Sequence, residues 1–199
     1  VNPTFRRYAE KIIRTLMAQV QHHPAIIGWQ LDNETKHYDN IGRYMQEGFV
    51  RSLQEKYPDL RQLNRDFGLD YWSNRVNDWA DFPDVRGTIN QSLAAEFQRF
   101  QRSLVTEFLS WQSDIIKEYK RDDQFITQNF DFDWTDHSYG YQPEVDQYDA
   151  ARCMTVAGAD IYHPSQDDLT GAEITVCGNI ARSLKKDNYL ILETEAQGL

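Results

Sequence analysis

The chain has only two cysteines among its 199 residues, Cys153 and Cys177. Their number and spacing match neither a disulfide framework nor a zinc cluster, so both are expected as buried thiols. No apolar run approaches about 18 residues, which excludes a transmembrane helix. No signal peptide is visible, and the opening residues already read as a helix start, so the chain is expected to begin inside a domain. Positive charge is scarce: 21 Lys and Arg stand against 31 Asp and Glu, a formal net charge of −10. That balance argues against nucleic acid or an anionic membrane as partner and leaves neutral substrates open. No repeat, low-complexity tract or linker divides the sequence, and one domain over residues 1–199 is expected.

Aromatic residues, by contrast, are plentiful. Five Trp, eleven Tyr and ten Phe suit a site that stacks on sugar faces, and equally a plain core.

Asn2-Pro3 reads as an N-cap followed by proline at the first helical position. Phe5, Tyr8, Ile12, Ile13, Leu16 and Val20 then recur at helical spacing up to the stop at His22-His23-Pro24. The run Ala25 to Leu31 has no polar alternation and reads as a strand buried on both faces. A helix over 41–57 carries Ile41, Met45, Phe49 and Leu53 on one stripe. From Tyr57 to Ile89 the periodicity dissolves. A long helix over 91–120 carries Leu93, Phe97, Phe100, Leu104, Phe108, Trp111 and Ile115. Short strands follow at 125–130, 159–162 and 189–192, with a helix over 171–185. Strands alternating with helices predict an α/β fold with a parallel sheet. Each strand ends in polar residues, and in such folds the site lies at the carboxyl ends of the strands.

Two acidic motifs stand at those ends: Asp32-Asn33-Glu34 after the first strand and Glu193-Thr194-Glu195 after the last. Either alone reads as well as a solvated loop. Together they suit glycoside hydrolysis, in which one carboxyl group protonates the leaving oxygen and a second attacks the anomeric carbon. Glu195 shares a strand face with Glu193 by period two, so spacing alone does not choose the nucleophile.

In this context Trp29-Gln30-Leu31-Asp32-Asn33-Glu34 resembles the Asn-Glu signature of clan A glycosidases. With His23-Pro24-Ala25-Ile26-Ile27-Gly28 before it, the segment resembles glycoside hydrolase family 42, the β-galactosidases. Leu63-Asn64-Arg65-Asp66-Phe67-Gly68, Tyr71-Trp72-Ser73, Asn129-Phe130, Asp160-Ile161-Tyr162-His163-Pro164 and Leu192-Glu193-Thr194 continue the likeness in order. The resemblance implies a fragment of a (β/α)8 TIM barrel covering about strands four to seven. It implies a retaining β-galactosidase with Glu34 as acid/base and Glu193 as nucleophile, their carboxyl groups about 5–5.5 Å apart. Glu34 should have its pKa raised, chiefly by the charge of Glu193. Asn33 would bond the sugar 2-hydroxyl, provided the strand pleat breaks at its tip. Tyr162 would orient Glu193, Trp72 would wall the sugar subsite, and His163 would line the rim. Phe130, with Trp134, would floor an acceptor site, and His37 and Tyr38 would meet the aglycone. For the complete enzyme the resemblance implies a galactoside or oligosaccharide substrate, a homotrimer and a cytoplasmic location. Many members of that family carry a zinc-binding cysteine cluster soon after the acid/base. Thr35 to Asn40 contains no cysteine, so no structural zinc is expected, and no cofactor is expected either.

Other readings remain open at this point. They are another clan A glycosidase (β-glucosidase, β-mannosidase, arabinosidase), a catalytically silent carbohydrate binder, and a metal-dependent hydrolase built on Asp32, Glu34, His37 and His163. The four strands should pair in sequence order. The first and last should stand as edges, with Ile26, Ile27, Ile191 and Leu192 partly uncovered.

Overall fold

The computed structural model describes residues 2–132, 142–162 and 170–194. In chain order the elements are α1 (Pro3–Val20), β1 (Gly28–Gln30), α2 (Arg43–Lys56), α3 (Leu60–Asp66), α4 (Gln91–Lys117), β2 (Phe125–Thr127), β3 (Asn129–Phe132), α5 (Gln147–Ala150), β4 (Ala157–Ile161), α6 (Gly171–Lys185) and β5 (Tyr189–Glu193). They fall into two compact units, Val1–Lys36 with Val105–Leu199, and His37–Leu104. None of these helices is long and apolar enough to cross a membrane.

In the first unit α1 starts as its sequence dictates. Pro3 takes the first turn, and the Asn2 side chain accepts from the N–H groups of Thr4 and Phe5. Helix α6 opens on a capping box between Thr170 and Glu173. Every strand pair is parallel: β1 with β2, β3 with β4, and β4 with β5. The strands pair in the predicted order but in two sheets, β1-β2 and β3-β4-β5, rather than the expected one, because the expected single strand over 125–130 is two strands broken at Gln128. The reason is local. Gln128 is fully buried, and its side-chain Oε1 accepts from Asp32 N at 2.9 Å, so a side chain replaces the ladder there. Before the break the chain pairs with β1; after it, with β4.

Strand β1 also differs from expectation. It is shorter than the apolar run that predicts it and only half-buried, because among the described residues it pairs on one side alone. Ile27 and Ile191, on the two edge segments, are exposed. Phe130, Phe132, Ala159, Ile161, Cys177 and Ala181 form the core with Met17, Val105, Leu109 and Ile116. Cys153 and Cys177 are free and buried within it, and burial pushes the Cys177 thiol up to about 11.

The second unit has its own core, built on Phe49, Leu53, Leu63, Phe67 and Leu93. Helix α3 lies where periodicity dissolves in the sequence; Asp59 caps it by accepting from Arg61 N. Asn64 is buried, donates to the Leu60 and Val76 carbonyls, and accepts from Val76 N. The Leu63 to Gly68 motif therefore anchors a loop. The buried stripe of α4 shifts along its length. Leu93 belongs to one core and Val105, Leu109 and Ile116 to the other, whereas the predicted stripe at Leu104, Phe108 and Trp111 is only half-buried.

Gly158 marks a close approach of backbone to backbone. A Cβ there would meet the Gln128 carbonyl at 2.5 Å, Leu192 Cδ1 at 2.6 Å and Thr127 Oγ1 at 2.7 Å. The carbonyl belongs to the break in the sheet and cannot rotate away. Gly158→Ala is expected to destabilise the fold by about 1–3 kcal/mol, the usual scale of overpacking. A melting temperature equal to that of the wild type would contradict this.

Candidate active site

The parallel strands bring their carboxyl ends together, and alternation along each strand decides which side chains meet there. In β3, Asn129 and Asp131 take one face, which sends Phe130 and Phe132 into the core. In β4 the partners are Gly158 and Asp160, paired with Asn129 and Asp131. Strand β5 would present the wrong parity but for an irregularity. Ala159 pairs with Ile191, yet Asp160 pairs with Glu193, so Leu192 is an extra residue. A bulge of this kind re-aims the side chain that follows it, and here that side chain is Glu193. Period two alone misassigns this face. Glu195 lies outside the described residues.

The pleat breaks after β1, as the Asn33-Glu34 pair requires. Glu34 has φ +45°, a left-handed conformation that a non-glycine residue adopts at a cost of order 1–3 kcal/mol and that recurs at functional sites. Its N–H donates to Asn129 Oδ1 at 2.9 Å. That oxygen also accepts from Gln30 Nε2 and Gln128 Nε2, each at 3.0 Å. On the other side of the same amide, Asn129 Nδ2 faces Asp160 Oδ2 at 2.6 Å, Asn33 Oδ1 at 3.2 Å and Glu193 Oε1 at 3.3 Å. Asn129 is completely buried, and it joins Asn33, Glu34, Asp160 and Glu193. The Tyr162 hydroxyl donates a short hydrogen bond to Glu193 Oε2, and that bond raises the pKa of the tyrosine. Both oxygens of Glu193 are thus held by donors.

One oxygen each of Glu34, Asp160 and Glu193 lies within 4.8 Å of the other two. Burial is the main cause that raises the Glu34 carboxyl above its ordinary value. Asp131 raises it further, Lys36 opposes, and Glu193 contributes least of the four. The direction is the expected one, but the expected leading cause is not. Lys36 pairs with Asp131 at 3.2 Å, and Gln142 Nε2 donates to the same carboxylate.

The other sequence-stated site residues divide. Phe130 is 2% exposed, which corrects its expected place at a sugar. The alternation that brings Asn129 and Asp131 to the site turns this ring into the core. His163 and Trp134 lie outside the described residues. Trp72, His37 and Tyr38 belong to the second unit. Trp72 is 70% exposed, has a left-handed backbone and stacks on Tyr71 at 5.2 Å. His37 is buried and accepts from Asp39 N. Among the described residues, Glu34, Asp160 and Glu193 are the group whose oxygens could share a cation. They include none of the His or Cys donors typical of zinc. Asn129, Asp131 and Asp160 do not stand out as site residues in the sequence. Their signal is polar identity on alternate positions of otherwise apolar strands.

A family model described as beta-galactosidase, that of glycoside hydrolase family 42, matches residues 1–198. The beta-galactosidase LacZ of Heyndrickxia coagulans is 26% identical over 96% of this chain and 28% of its own length. The beta-galactosidase YesZ of Bacillus licheniformis is 29% identical over 97% of this chain and 28% of its own. A family 42 β-galactosidase from G. stearothermophilus superposes with a TM-score of 0.83 at 26% identity, over 96% of this chain and 29% of that one. The β-galactosidase from Rahnella sp. R3 gives a TM-score of 0.81 at 26% identity, over 97% of this chain and 28% of that one. The chain thus spans under a third of the length of these relatives.

Proposed function

The chain belongs to glycoside hydrolase family 42, the β-galactosidases, with the fold of part of a (β/α)8 barrel, and from that membership we propose that it carries the catalytic pair of an enzyme that hydrolyses terminal β-D-galactosides with retention. Both units are read as parts of one partial catalytic domain over residues 1–199.

In the proposed reaction Glu34 protonates the glycosidic oxygen while Glu193 attacks the anomeric carbon from the opposite face. The galactosyl ester so formed is then hydrolysed by a water that Glu34, now a carboxylate, deprotonates. The observation that carries the reading is the separation of the two carboxyl groups. One oxygen of each lying within 4.8 Å of the other favours direct attack, which needs about 5–5.5 Å between the groups, over inversion, which needs roughly 6.5–9.5 Å to seat a water. The raised pKa of Glu34 supports its part as the acid. The two hydrogen bonds on Glu193 support its part as the aimed nucleophile. Asn33 is read as the partner of the sugar 2-hydroxyl, Tyr162 as the orienting partner of Glu193, Trp72 as an exposed platform for a sugar face, and His163 as a rim residue. A trimeric, cytoplasmic enzyme acting on galactosides or oligosaccharides completes the proposal, with no cofactor.

A silent sugar binder has no use for two carboxyl groups at bond-flanking distance. The test is the stereochemistry of the first product. Proton NMR of an aryl β-galactoside during turnover by the full-length enzyme is expected to show β-galactose before mutarotation. First appearance of the α-anomer would overturn retention. Faster turnover of aryl β-glucosides, β-mannosides or arabinosides across a substrate panel would overturn the sugar.

A further inference from the structure

The roles given to Glu34 and Glu193 leave a third carboxyl group without one. Asp160 has no solvent exposure. Its Oδ2 takes the shortest of the hydrogen bonds made by the Asn129 amide, at 2.6 Å. Its Oδ1 has no hydrogen-bond partner among the described residues. It faces Glu34 beyond β1, Asp131 on β3 and Glu193 on β5, with Tyr162 just past the end of its own strand. Helix α6, packed against β4, buries Cys177, Gly178 and Ala181. The nearby cation, Lys36, pairs with Asp131.

We propose, building on the retaining reading above, that Asp160 is the positioning residue of this site, holding the Asn129 amide in the one orientation that ties the Glu34 turn to the Glu193 carboxylate. That orientation is fixed by chemistry at both ends. The Glu34 N–H is a donor and requires the amide oxygen; Glu193 and Asp160 offer acceptors and require the amide nitrogen. Turning the amide over would set its carbonyl against two carboxyl groups and its NH2 against a backbone N–H. Asp160, the deepest of these acceptors, makes that reversal costly.

Asp160 does this as a neutral acid. Glu34 enters the reaction protonated. The remaining two carboxyl groups have oxygens inside 4.8 Å and share the Asn129 amide nitrogen, and their like charge opposes joint ionisation. Asp160 is the one wholly removed from water. A proton on Oδ1 leaves Oδ2 free to accept from Asn129. Burial, with the charges of Glu193, Glu34 and Asp131, pushes its pKa up to about 7, against the opposing hydrogen bond from Asn129. A neutral Asp160 also spares Glu193 a negative neighbour as it attacks.

The experiment compares Asp160→Asn and Asp160→Ala in the full-length enzyme. Asn keeps an acceptor for Asn129 and carries no charge, so kcat near pH 6 is expected within about threefold of wild type. Ala removes the acceptor and lets the pair drift, with an expected loss in kcat of about 10–100-fold and KM within about threefold. A second readout needs no turnover. Because the folded pKa of Asp160 lies above its ordinary 3.8, wild type loses stability as pH rises from about 4 through about 7. The Asn variant lacks that loss, so its melting temperature relative to wild type should climb across the same window. Rescue by Asn but not Ala distinguishes positioning from bulk packing. Asp160→Asn as slow as Asp160→Ala would overturn the proposal, and so would wild-type kcat in Asp160→Ala. A melting difference constant from pH 4 to 8 would overturn the neutral form. If Asp160→Ala does not fold, kcat and melting of Asp160→Asn decide alone. Glu193→Ala assayed alongside separates the two readings: activity retained there sinks the retaining mechanism, while the melting arm still judges Asp160.

Discussion

Glu193→Ala in the full-length enzyme is expected to lose roughly five to six orders of magnitude in kcat on aryl β-galactosides, the scale on which removal of a covalent nucleophile falls. Truncation removes the atom that forms the ester and leaves a hole on the face opposite the leaving group. Azide can enter that hole and attack directly, so millimolar azide is expected to restore turnover and to yield the α-galactosyl azide. Inversion follows because one displacement replaces two. Glu195→Ala, by contrast, should keep activity near wild type. The bulge at Leu192 gives the argument its physical basis, since it aligns Glu193, two residues earlier, with Asp160. Rescue by azide in Glu195→Ala rather than Glu193→Ala would reverse the assignment.

The same bulge shows where the sequence ceases to be legible. Helices α1, α2 and α6 are readable because their patterns run over several turns, and α1 and α6 also open on ordinary caps, whereas Gly42 before α2 makes no side-chain cap. Asn2 and Pro3 announce α1, and Thr170 and Glu173 open α6. Strands are shorter, and here their meaning hangs on single residues. An extra Leu192 or an interposed Gln128 carries no periodicity of its own, yet each resets which face follows. Helix α3 is too short for periodicity to register, although Asp59, Leu60 and Leu63 mark it afterwards.

The site was legible in part for the same reason. Glu34 and Glu193 stand at strand tips, where polar residues invite attention. Asn129 and Asp160 sit inside strands among Phe130, Phe132, Ala159 and Ile161, where a polar residue looks like an interruption of the core. Only the pairing of Asn129 with Gly158 and of Asp131 with Asp160 reveals a polar face running beneath the two glutamates. Phe130 invites assignment to the sugar for the complementary reason. An aromatic beside Asn129 looks available until alternation sends it the other way.

Glu34→Ala is expected to have an effect that depends on the substrate, which is the signature of an acid. An alkyl galactoside leaves as a basic alkoxide and needs the proton in the transition state, so loss of the acid should cost about 10²–10⁴-fold in kcat/KM. A dinitrophenyl galactoside leaves as a stable anion, and its first step should slow by no more than about tenfold. Its ester with Glu193 then accumulates, because the water that cleaves it has lost its base. Azide should relieve that second step by attacking the ester from the β face. The product is the β-galactosyl azide, opposite in configuration to that of Glu193→Ala, and the two azides identify the two roles independently of rate. The pH profile follows from the cause of the shift. Burial first, then Asp131, raises the Glu34 pKa; the acid is therefore protonated to higher pH than an ordinary glutamate, and kcat/KM falls as pH rises through its pKa. Asp131→Asn removes one negative neighbour of Glu34. Losing that charge lowers the Glu34 pKa, so the alkaline limb should move to lower pH. A limb that stays in place in Asp131→Asn, or a loss in Glu34→Ala that is equal for alkyl and dinitrophenyl leaving groups, would remove Glu34 from the role of acid.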